Sequence, residues 1–228
     1  CSSDLPLPGT PRLPNGKANL TAPVPRAGGR PDLSGVWAAV ADRTDVSPTS
    51  VSIDRNRAAG NIAVGVPGGA PLTPWAQELR AARQKERSLS MPTARCLPSG
   101  IPPDMLRPTL PFKIVQASGV TVILLEEFNN WRQILTDGRS LPPPSQPAWF
   151  GYSIGRWDGD TFVVQTTGFN DQTWLDGGGT PHSEDLHLTE KFRRTDHGHM
   201  EIEYTFEDPK RSEEHTSELQ SHLNLVCR

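Results

Sequence analysis

Two tight turns set between runs of alternating residues constrain this chain more than any other feature. Gly151–Trp157 and Thr161–Thr167 flank Asp158-Gly159-Asp160, and Leu186–Arg194 and His199–Glu207 flank Thr195–Gly198. Asp-Gly between β-rich runs signals a hairpin, because a type I′ turn needs φ > 0 at both central positions. The same pattern starts earlier: Lys113–Ala117 and Val120–Glu126 surround Ser118-Gly119, and Asn130–Thr136 ends at Asp137-Gly138. Val120–Leu125 is apolar on both faces, which marks a central strand. The expected fold class is all-β: an antiparallel meander curling into a partly closed barrel, with strands mainly over 112–207.

The remainder of the chain is organised by proline. Most of the 23 Pro precede residue 148, so the first two-thirds reads as loop-rich. Residues 1–30 read as a flexible Pro-rich lead or tether, 31–210 as one β-rich domain, and 42–72 as a long loop within it. One helix is expected over 74–86, where Thr73 can cap, Pro74 suits the first helical position, and Trp75, Leu79 and Ala82 share a face. Leu141–Pro147 holds too much proline for a central strand.

Several segments carry resemblances. Gly35-Val36-Trp37 resembles the opening motif of lipocalin-like (calycin) barrels, in which the Trp plugs one barrel end. Arg95–Gly100, Thr136–Arg139, Gly151–Thr161 and Pro181–Glu184 together resemble an uncharacterised family of exported proteins of soil bacteria (Acidobacteria-like). That resemblance implies export and brings no catalytic residues. Cys1-Ser2-Ser3-Asp4 resembles the start of a mature bacterial lipoprotein, which implies lipidation at Cys1 and a place in the cell envelope, with secretion as the other option. Arg211–Ser221 resembles a translated sequencing adapter. It implies that 211–228 is a non-native read-through tail, that His215, His222 and Cys227 belong to no site, and that the sheet is truncated at its C-terminal side.

Composition excludes some partners. The net charge of −3 and the absence of a basic stripe argue against nucleic acid. No apolar run is long enough to span a bilayer as a helix, so membrane contact is expected only through a lipid on Cys1. Three Cys, one terminal and one in the foreign-looking tail, make no disulfide framework. No cofactor motif is visible, and no cofactor is expected.

Two motifs suggest chemistry. Gly151-Tyr152-Ser153-Ile154-Gly155 matches the Gly-x-Ser-x-Gly elbow, with Asp171 or Asp176 and then His182 or His187 following in the right order. An elbow needs a helix after Ser153, whereas a hairpin follows. His182, Glu184, His187, His197 and His199 are close in sequence but lack the spacing of a metal site, so none is expected. Asp176-Gly177-Gly178-Gly179-Thr180 precedes no helix and reads as a mobile loop rather than a phosphate cradle.

Glu190 is the more informative residue. By period-two alternation it shares a face with Leu186, Leu188 and Phe192, so it points into the core. A buried carboxylate must be paired, with Arg132 and Arg139 as candidate partners. The pair would either fix strand register or anchor the floor of a ligand cavity. Trp131, Trp149, Trp157 and Trp174, with Phe150 and Tyr152, are candidates for core filling or a pocket wall. The candidate ligand-binding set is Arg132, Asp137, Arg139, Trp157, His182 and Glu190. The sequence thus points to a non-catalytic envelope or secreted β-sheet protein binding a small apolar or sugar-like ligand. The alternatives are a secreted hydrolase using Ser153 or a His/Glu cluster, and a lipid-anchored scaffold binding another protein.

Overall fold

The computed structural model describes residues 9–39, 61–62, 70–86, 89–107, 110–141, 143, 146–211 and the backbone of 221–227. Expectations for Cys1 and for most of 42–72 lie outside the described residues. A two-stranded ribbon, β1 (Arg26–Ala27) and β2 (Arg30–Pro31), precedes the main sheet. The sheet runs through β3 (Gly35–Ala39), β4 (Phe112–Ala117), β5 (Val120–Leu125), β6 (Trp131–Leu135), β7 (Tyr152–Asp158), β8 (Thr161–Thr167), β9 (His187–Arg194) and β10 (His199–Glu207). These eight strands form one curled sheet. β11 (Ser221–Cys227), within the tail read as foreign, pairs with β10 and β3 and closes the ring.

The fold is all-β with one long helix, and each expected strand over 112–207 lies within a residue or so of its observed bounds. Alternation decides the interior. Leu188, Glu190 and Phe192 of β9, Met200, Ile202 and Tyr204 of β10, and Phe162 and Val164 of β8 are all buried, while their neighbours face out more. The 158–161 turn differs from the expected type: only Gly159 takes a positive φ, +56°. The pairing of Asp158 with Thr161 makes Gly159-Asp160 the central residues, a pattern that fits II′ rather than I′. Gly155 is held to glycine by packing, since a Cβ there would stand 2.4 Å from the Phe162 ring and 2.9 Å from Ile134.

One junction breaks the antiparallel order. β6 and β7 run parallel and pair only through Ile134–Ser153 and Leu135–Ile154. The pairing stops at those two residue pairs, and beyond them residues of both strands line an open cleft. This opening positions the site described below.

The barrel end near the β9–β10 turn is closed by Trp37. Its ring is fully buried, its Nε1–H donates to the Leu33 carbonyl at 2.9 Å, and the Arg194 guanidinium lies 4.9 Å from its centroid. Arg194 donates onward to the carbonyls of Asp32, Asp196 and His197. Part of the stretch expected as a tether also packs here. The amides of His197 and Gly198 donate to the Ala22 and Leu20 carbonyls, and Arg26 pairs with Asp160.

The helix α1 (Pro74–Lys85) forms where the capping signals placed it: the Thr73 hydroxyl accepts from the Ala76 amide, with Pro74 next. Its packing face is rotated from the expected one. Ala76 is buried, whereas Trp75 is 47% exposed. Arg83 decides this orientation, stacking 4.9 Å over the buried Trp174 and donating to the Gly179 carbonyl. The loop beneath is not the free loop the three glycines suggested. Buried Asp176 accepts from the Ile62 amide and from both the amide and hydroxyl of Thr180, tying the loop shut. A single helical turn, α2 (Pro103–Leu106), is buried at all four positions and contacts β3.

Candidate functional site

Glu190 and Arg132 meet inside the barrel. Both are essentially inaccessible, at 0% and 2% exposure. Arg132 Nη1 donates to Glu190 Oε1 at 3.0 Å, and Nη2 donates to Oε2, a bidentate geometry matched to the guanidinium fork. Nε and the second Nη2 donor of Arg132 are also used. Nε–H donates to Ser153 Oγ at 3.1 Å, Nη2 also reaches Thr166 Oγ1 at 2.7 Å, and the two hydroxyls lie 3.0 Å apart. Arg132 comes from β6, Ser153 from β7, Thr166 from β8 and Glu190 from β9, so the cluster stitches four successive strands.

Tyr204 on β10 stands opposite Glu190 in the strand register. It is fully buried, and its hydroxyl has no hydrogen-bond partner. Burial pushes the phenol well above its ordinary value, and the Glu190 charge adds to this against the opposing effect of Arg132. Tyr204 therefore stays a neutral phenol beside the ion pair.

Outside this cluster the β6–β7 divergence opens a cleft of about 380 Å³. Its aromatic lining comes from Trp131, Trp149, Phe150 and Tyr152, with Leu135 and Pro98 adding apolar surface. Arg132 and Ser153 complete the lining at the point where the strands part, so the cleft adjoins the buried cluster. Trp131 is 59% exposed. The Tyr152 hydroxyl is committed, donating to the Gln146 carbonyl at 2.8 Å.

A second buried charged group lies towards the Pro98 and Asn130 end. Asp104 on α2 is 2% exposed, with the Glu127 carboxyl and the Ser99 hydroxyl as its hydrogen-bonding neighbours. Burial pushes its carboxyl up to about 9, and the neighbouring Glu127 adds to the shift. Glu127 pairs with Arg107, which also donates to Ser99 Oγ at 3.2 Å. Phe128 and Asn129 take positive φ of 53° and 54° in the turn that carries Glu127. Sequence reasoning missed this group, because Asp104 sits in a Pro-rich stretch with no periodicity to reveal burial.

The other sequence candidates are dispersed. Arg139 is not a partner of Glu190: it pairs with Asp137 at 2.5 Å on an exposed turn, because two residues of separation bring them together locally. Trp157 packs at 5.2 Å from Phe162 rather than in the cleft, and Trp174 lies beneath Arg83. His182 is buried, with Nδ1 donating to the Ser183 carbonyl at 3.0 Å and Nε2 positioned to accept from the Thr173 hydroxyl at 2.6 Å. Burial holds its imidazole below the usual range, so it is a neutral structural ring. Among the described residues no three of His, Cys, Asp and Glu converge as a metal site. No described helix is long and apolar enough to cross a membrane. No family model, curated protein or solved structure matches the chain.

Proposed function

We propose that this chain is a non-catalytic β-barrel protein that holds a small ligand in the cleft between β6 and β7. The observation that carries the reading is the aromatic wall of Trp131, Trp149, Phe150 and Tyr152 at a gap between strands, backed by a polar cluster whose charges are already paired. Concave, mostly apolar surface with a few fixed polar groups is what small-molecule sites are made of.

The hydrolase alternative has less support. A nucleophilic serine needs a base at its Oγ to take the proton. Ser153 Oγ instead meets the Arg132 guanidinium, a donor with no proton-accepting atom, and a second hydroxyl. The strand running straight through Ser153 into a hairpin also lacks the helix N-terminus of an elbow. An envelope or secreted location rests on the resemblance to exported proteins.

The test is titration with N-phenyl-1-naphthylamine, a neutral fluorescent probe of apolar sites. Saturable binding to one site is expected, weakened at least fivefold in Trp131→Ala, with the melting temperature unchanged because that side chain is exposed. Absence of saturable binding, or equal binding by the variant, overturns the reading.

A further inference from the structure

Building on the cleft reading, we infer that the ligand is an uncharged aromatic compound carrying a ring-attached hydrogen-bond acceptor such as a carbonyl, directed at the Asn130 side-chain amide. The argument is an inventory of the polar groups around the cleft. Each nitrogen of the Arg132 guanidinium donates to Glu190, Ser153 or Thr166, and Glu190 balances its charge. An anionic ligand would have to displace a buried, bidentate carboxylate, and a cationic one would find no free carboxylate among the residues lining the cleft. The ligand is therefore neutral.

The same inventory separates an aromatic from a sugar. A hexose buries several hydroxyls, each needing a partner when removed from water. The Ser153 hydroxyl is taken by Arg132 and Thr166, the Tyr152 hydroxyl by the Gln146 carbonyl, and Gln133 sits on the exposed rim. The indole N–H groups of Trp131 and Trp149 and the Gln133 amide also line the cleft, but among the described residues Asn130 Nδ2 is the lining side-chain polar atom that is buried with no hydrogen-bond partner. A side-chain NH₂ in that state calls for one acceptor. Indole, phenyl and phenol rings around the rest of the wall offer flat surface for a flat ring system. A volume of about 380 Å³ is at the small end of ligand sites, enough for two or three fused rings.

The experiment compares four compounds by quenching of tryptophan fluorescence: 2-acetylnaphthalene, 2-ethylnaphthalene, 2-naphthoate and methyl β-glucoside. The acetyl compound is expected to bind roughly 3- to 10-fold tighter than the ethyl one, the range of one neutral hydrogen bond. The naphthoate and the glucoside are expected to bind more weakly than either. Asn130→Leu should equalise the acetyl and ethyl compounds, while Gln133→Ala should preserve their ratio. The comparison within the parent protein needs no variant to fold. Equal affinity for the acetyl and ethyl compounds, or tightest binding of the naphthoate or glucoside, overturns this inference and leaves the cleft reading standing. Failure of all four to bind overturns both.

Discussion

Two buried charged clusters in one barrel have opposite outcomes. Around Arg132 and Glu190 every guanidinium nitrogen donates to an acceptor, and both carboxylate oxygens are used. Around Asp104 and Glu127 two buried carboxyl groups face each other, and Arg107 lies against Glu127. The first cluster is built on strands whose register delivers complementary groups at fixed spacing. The second joins a helical turn to a left-handed turn, two irregular elements with no shared register. Burial is common to both; what separates them is that opposite charges are paired in the first, while like groups meet in the second and one of them keeps its proton.

The largest effect should come from breaking the satisfied cluster. Glu190→Leu leaves Arg132 buried and unpaired, and about 3–5 kcal/mol of stability should be lost in urea unfolding. Arg132→Met combined with Glu190→Leu should recover most of that loss, because the pair and its desolvation are removed together. If the double variant were no better than the single, the cost would lie in packing rather than in charge.

The carboxyl pair should respond in the opposite direction. The Asp104 carboxyl sits at about 9 in the folded protein against 3.8 for the free group. Folding therefore takes up a proton at neutral pH. The stability associated with the protonated form is fully present below pH 3.8 and is lost progressively as pH rises through about 9. Asp104→Asn removes that dependence and should stabilise by roughly 1–3 kcal/mol at pH 8, with no gain near pH 3. Unfolding curves across this range check the prediction, and a gain independent of pH would sink it.

The smallest effect sharpens the contrast. Arg139→Ala removes an ion pair of similar geometry on an exposed turn. Water already solvates both charges there, so thermal unfolding should be unchanged. A measurable loss would show that geometry alone, rather than burial with complete bonding, sets the value of these pairs.

The satisfied cluster was half legible in the chain. Glu190 announced itself because Leu186, Leu188 and Phe192 share its face, and Arg132 because Ile134 shares its own. Thr166 and Ser153 were invisible as partners, since small hydroxyls fit a strand wherever they point. The choice between Arg132 and Arg139 needed the register of non-adjacent strands. The aromatic residues of the cleft were recognisable as a group, but not which of them would gather: Trp157 and Trp174 carry the same side chain as Trp131 and pack elsewhere. Asp104 carried no local signal at all.

Local sequence determined the strands, their inward and outward faces, the hairpin turns and the cap of α1. Each depends on the period of side-chain alternation or on the φ preference of a few residues. Tertiary structure alone decided the parallel contact of β6 with β7, and with it the cleft. A 16-residue separation between Leu135 and Gly151 can return a chain in either direction. Only the packing of the completed sheet selects the direction that leaves the two strands apart.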